Sequence, residues 1–174
     1  MVARVCLPLA LVLGIAAAAA PCSVVGPLPS AASLLRDAEV IAHVRAEGLS
    51  SQPGRPGGLA EAPTQVRFTV LAVLKGRLAS PTVEFNGALS DGDDPNDRRV
   101  PFDFVRPGGR GGNCFATHYR AGAEYLLLLR RGEYPPHVGE LTPYWAPLSP
   151  TNEQLMGGGA DPWLVWVRKR VPRR

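Results

Sequence analysis

Apolar and polar positions alternate most cleanly between Thr64 and Lys75, where Val66, Phe68 and Val70 fall on one side of the chain and Gln65, Arg67 and Thr69 on the other. A period of two is the spacing of a strand with one packed face and one wet face. Lys75-Gly76 reads as the turn that ends it, and Pro81 to Gly87 sets Val83 and Phe85 on one face of a following strand that pairs with it. Upstream, Glu39 to Glu47 is apolar at Val40, Ala42 and Val44, with Ile41 interrupting the alternation, and reads as another strand. Ser30 is placed as the N-cap of a short helix through AASLLRDA, with Leu34 and Leu35 as its buried pair. Glu124 to Arg131, EYLLLLRR, is a buried strand; Glu140 to Leu148 is a weaker one, interrupted by Pro143 and therefore an edge candidate. Asp161-Pro162 opens a last helix, the acid capping and the proline fitting the first turn. Trp163, Trp166, Val167 and Arg170 then recur at helical spacing until Pro172 stops it.

The connections complete the outline. Pro21 to Pro29 is an extended arm, and Gly48 to Pro63 a flexible loop rich in glycine and proline. Ala88 to Gly122 is long for a connection in a small domain and shifts to Asp, Gly, Arg and Pro, with only Val100, Phe102 and Phe104 in alternation. Loops of that length carry function or mobility. About five strands, mostly antiparallel by loop length, with short helices at either end, predict a mainly β fold: a small OB-like, partly open barrel.

The first twenty residues stand apart. Met1 to Ala20 runs from one cation, Arg4, through an apolar stretch from Val5 to Ile15 into the alanines Ala16 to Ala20, the order of a secretory signal. A signal peptide over 1–20 leaves 21–174 as a single OB-like domain with a C-terminal helix and basic tail, in the periplasm or outside the cell. Outside this leader no apolar run approaches the roughly 20 residues that span a bilayer. Losing it removes Cys6 and leaves Cys22 and Cys114, an even count in a compartment where a disulfide is the default. That bridge would close a loop of about 90 residues, with an upper figure of roughly 4 to 5 kcal/mol by chain entropy. The competing assignment of Cys114 and His118 as metal ligands lacks a second Cys/His pair to complete a tetrahedral site.

Cys22, a capped helix, EVIAHVRAE, the Lys75-Gly76 turn after FTVLAVLKG, and NCFATHYRAGAEYLLLL follow one another in an order that resembles the bacterial relatives of the tissue inhibitor of metalloproteinases and netrin-like domains. The resemblance covers Cys22 to Arg131. It implies an OB-like barrel and a bridge between Cys22 and Cys114, the second cysteine standing shortly before the Gly122-Ala123-Glu124-Tyr125-Leu126 strand. Animal inhibitors of that family chelate the protease zinc through a free N-terminal cysteine in a Cys-x-Cys start. Here the start is Cys22-Ser23-Val24, and Cys22 becomes N-terminal only if cleavage follows Pro21.

Candidate chemistry is sparse. Asp91-Gly92-Asp93-Asp94-Pro95-Asn96-Asp97 offers hard oxygen ligands, but Pro95 and Asn96 break the EF-hand order and Phe102 stands where its twelfth-place Glu belongs, so a solvated turn explains it better. His43, His118 and His137 build no triad with any recognised nucleophile. Gly108 to Gly112, GGRGG, lacks the Lys-Ser/Thr of a phosphate loop. The formal charge of +4 also misleads. Without Arg4 the chain keeps 18 cations against 15 acids, and five of them, Arg168, Lys169, Arg170, Arg173 and Arg174, sit in the last seven residues. The remaining 13 cations are outnumbered, which excludes a groove tracking a phosphate backbone. Trp163, Trp166, Arg168, Lys169 and Arg170 form a possible binding surface, although the tryptophans most simply pack on the barrel. The reading is an exported, monomeric, non-catalytic module without cofactor that meets a protein partner through its long loops. Its alternatives are a metalloprotease inhibitor acting through the N-terminal arm, and an envelope protein attached at the membrane surface by its basic, aromatic C-terminus.

Overall fold

The computed structural model describes residues 26–50, 64–133 and 138–172. The leader, Cys22 and most of the arm, the loop residues 51–63, His137, Arg173 and Arg174 lie outside them. Ser30 caps α1 (Ala31–Asp37) as its side chain accepts from the Ser33 N–H, and Leu34 and Leu35 are buried. Three strands follow, β1 (Val40–Leu49), β2 (Gln65–Lys75) and β3 (Thr82–Asn86). They form an antiparallel meander, with Val66 opposite Phe85 and Phe68 opposite Val83. β6 (Glu124–Arg131) lies antiparallel along the other side of β1, so the order is β3-β2-β1-β6-β7, with β7 (Leu141–Thr142) at one end and β8 (Asn152–Leu155) pairing with β6 off this path. The sheet curls into a nearly closed barrel. Its seam, between β3 and β7, is crossed by Tyr144, whose hydroxyl donates to the Asn86 carbonyl at 2.5 Å. This is the small, partly open, OB-like barrel that the strand pattern predicts.

The unbroken apolar run of β6 has a two-sided cause. Tyr125, Leu127 and Leu129 fill the barrel with Ala42, Val44, Phe68 and Phe85. Leu126 and Leu128 point outward into a second core made by α1, Phe102 and the closing helix α2 (Pro162–Arg168). A strand covered on both faces shows no alternation. Asp161 caps α2 through the Trp163 N–H at 2.9 Å, with Pro162 in the first turn. Among the described residues no helix is long and apolar enough to cross a membrane.

Two sequence expectations need correction. Glu140 to Leu148 yields only the two-residue β7, because Pro143 stops the ladder and Tyr144 and Trp145 turn to bridge the seam and to donate to the Leu128 carbonyl. The long connection is not structureless: β4 (Ala88–Ser90) and β5 (His118–Arg120) pair in parallel, and Pro107–Gly109 makes one 3-10 turn. Val100, Phe102 and Phe104 belong to no strand, and Phe102 packs on Trp163 instead. The Lys75-Gly76 turn has a steric reason. Gly76 has φ +75°, and a Cβ there would collide with the Glu39 carbonyl oxygen. Gly76→Ala is therefore expected to lower stability by about 1–3 kcal/mol, seen as a lower urea midpoint at unchanged slope.

Candidate functional site

The segment from Asp91 to Thr117 is held to the barrel by one fully buried cation. Arg106 follows the Val100 to Val105 stretch and turns inward, and its guanidinium meets donor-seeking groups on every side. Nη1 donates to Asp94 Oδ2 at 2.6 Å, Nε to the Asn152 carbonyl at 3.0 Å, and Nη2 to the carbonyls of His118 at 2.8 Å and Ala116 at 3.2 Å. The rings of Tyr119 and Tyr125 each lie 5.4 Å from its central carbon. A planar fork with five N–H donors suits such a site, and a point-like ammonium does not. Asp94 in turn accepts from the Gly108 N–H at 3.0 Å. A Cβ on Gly108 would strike that carboxylate, so the first glycine pair of GGRGG serves close approach rather than phosphate binding.

β8 supplies the other half. Glu153 is wholly buried; its Oε1 accepts from the Arg106 backbone N–H at 3.1 Å and its Oε2 from Asn96 Nδ2 at 2.8 Å. Burial pushes this carboxyl up to about 7, against the pull of Arg106 and the Asn96 hydrogen bond. Gln154 Oε1 accepts from the Asp94 N–H and its Nε2 donates to Asp93 Oδ1, both at 2.6 Å. Asn152 Nδ2 donates to Tyr119 Oη at 2.9 Å, and Tyr119 lies 2.8 Å from Tyr144 Oη. Since Tyr144 gives its proton to Asn86, Tyr119 donates to Tyr144, and an ordered chain of donors runs from β8 to the seam. Desolvation raises all three tyrosines, Tyr119, Tyr125 and Tyr144, above the usual phenol range.

Outside this buried layer, ion pairs fasten the rest of the loop. Arg120 and Gln154 hold the Asp93 carboxyl below its ordinary range by hydrogen bonding, and Arg110 does the same for Asp97. Phe104 is flanked by Arg110 and Arg98, with centroid distances of 5.1 and 5.4 Å. Asp93, Asp94 and Asp97 are thus spent on arginines, glutamine and backbone amides, in keeping with a turn rather than a calcium loop. Arg98, Arg99, Pro101 and Asp103 remain exposed on this frame.

The other candidates separate in space. His43 Nε2 donates to Glu124 Oε2 at 2.7 Å and Arg45 Nη2 to Oε1 at 2.9 Å. Burial pushes Glu124 up, and these two hydrogen bonds outweigh it, leaving the carboxyl below its usual range. His118 is exposed on β5, and no group of three or more metal-ligating side chains occurs among the described residues. Cys114 has φ 61°, in the left-handed region. Its expected partner Cys22 lies outside the described residues. Trp163 cannot belong to a binding surface, because it is fully buried against Phe102 and Leu164 in the outer core. Trp166 is half-buried, stacked on Trp163 at 5.1 Å and covered by Arg170 at 4.0 Å, while Arg168, Lys169 and Arg170 are exposed. Arg106, Glu153 and Asn152 carry no mark in the sequence, and Asp94 stands out only within its acidic run; an Arg before Pro-Gly-Gly and the Asn-Glu-Gln run are ordinary loop text until β8 turns the latter inward. No family model, curated protein or solved structure matches the chain.

Proposed function

We propose that the chain is an exported, non-catalytic OB-like module that binds a protein partner through the 91–117 loop. The observation that carries this reading is the burial of Arg106 with its donors directed to Asp94 and to three carbonyls. A long irregular segment tied down in this way is ordered before it meets anything, which removes much of the entropic cost of recognition. The titratable groups support binding over chemistry: Glu153 has both oxygens occupied by protein donors and no exposure, so no substrate reaches it. Export, the Cys22–Cys114 bridge and the kinship with netrin-like domains belong to the same proposal, resting on the leader and on the order of motifs. Inhibition through the arm would need a mature chain that begins at Cys22.

A photo-crosslinking amino acid at Arg98 or Asp103, introduced into the exported chain in its own cells, is expected to give one discrete adduct. The same residue at Thr69 on β2 is expected to give none. Equal labelling from all three positions, or from none, would remove the loop as the recognition surface.

A further inference from the structure

Two clefts, of about 570 and 370 Å³, adjoin where the end of β2 meets α1 and the segment after α2, and they share Lys75, Val171 and Pro172. Their apolar lining comes from Ala32, Leu35, Val73 and Leu74 as well as Val171 and Pro172, whereas Arg36, Arg168 and Arg170 stand around them with Lys75. Arg36 is paired with the neighbouring Asp37, and the Lys75 ammonium donates to the Leu35 and Arg36 carbonyls at the end of α1. Arg168 and Arg170 donate to the Gly159 and Trp166 carbonyls, and among the described residues no acid pairs with either of them or with Lys169. Among the described residues no acid lines either cleft. Apolar recesses flanked by Arg168 and Arg170, which no acid pairs among the described residues, call for an anionic ligand with apolar side groups.

We propose that these joined clefts dock an extended acidic segment of a partner polypeptide, with carboxylates at the arginines and apolar side chains in the recesses. Shape decides against a bilayer as the occupant: a flat anionic surface reaches Arg168, Lys169 and Arg170 but leaves the concave apolar lining uncovered. The surface shares no residue with the 91–117 loop, so each can fail without the other.

The probe is a fluorescein-labelled peptide of alternating glutamate and leucine, titrated by anisotropy against the intact chain. Binding is expected to weaken at least about tenfold with Arg168→Glu or Arg170→Glu, and by a similar factor on raising salt from about 0.05 to about 0.5 M. Circular dichroism checks that these exposed substitutions leave the barrel folded. A peptide of alternating glutamate and serine is expected to bind at least about tenfold more weakly, since it cannot fill the recesses. Affinity unchanged by either reversal, equal binding of the serine peptide, or binding to phosphatidylglycerol vesicles with none to the leucine peptide would each overturn the proposal.

Discussion

Arg106→Met is expected to lower the free energy of unfolding by about 3 to 5 kcal/mol, the cost of deleting one member of a buried ion pair. Methionine fills much of the volume but withdraws all the guanidinium donors, leaving Asp94 Oδ2 only the Gly108 N–H, the Ala116 carbonyl only Asn152 Nδ2, and the Asn152 and His118 carbonyls without the arginine. For a domain with about 5 to 15 kcal/mol in hand this is a large fraction. The loss concentrates in the segment that Arg106 pins, so limited proteolysis should cut between Asp91 and Thr117 long before the strands of the barrel. Arg106→Lys keeps the charge without the fork and should fall in between. If urea midpoints of the methionine variant and the parent coincided, the loop would have to be held by Gln154, Glu153 and Arg120 instead.

Stability is also expected to fall as pH rises from about 5 to about 8, by roughly 2 to 3 kcal/mol from Glu153 alone. The carboxyl is raised from an ordinary 4.5 to about 7 in the folded chain. Between those values the folded state holds more protons than the unfolded state, so each step up in pH favours unfolding until the group is ionised in both. Asp93, Asp97 and Glu124 are shifted the opposite way, and their contribution is lost only at more acid pH, below the ordinary carboxylate range. Glu153→Gln retains an acceptor for the Arg106 N–H and removes the titration. The difference between the two stability curves, measured by urea unfolding across this range, isolates the group. Parallel curves would mean that Glu153 stays ionised throughout.

Most of the barrel was legible from the chain. β2 and β3 show in the alternation of Val66, Phe68 and Phe85, and both helices show in their caps, Ser30 and Asp161. What escaped has particular causes. β8 is four residues of which three are polar, and its Asn, Glu and Gln are buried because each meets a partner from the 91–117 loop, information that no local pattern contains. The parallel pairing of β4 with β5 joins segments 30 residues apart with no α-helix between them, the element that usually makes such a crossover. Trp163 and Trp166 share a helix and a residue type, yet the roughly 60° between them around the helix axis puts one in the core and the other at its rim. The loop was recognisable by length and composition; the cation that organises it was not.

The central position of β1 shapes how the chain must mature. Val40 lies opposite Leu129, a partner 89 positions further along, whereas β1 reaches β2 across one connection. Until Leu126 to Leu129 have emerged from synthesis, the apolar VIAHV stretch is left with one bare edge, the arrangement through which nascent strands find the wrong neighbours. A sheet whose middle strand waits for a late segment gives holdase chaperones an interval in which to act, and that interval closes only when β6 arrives.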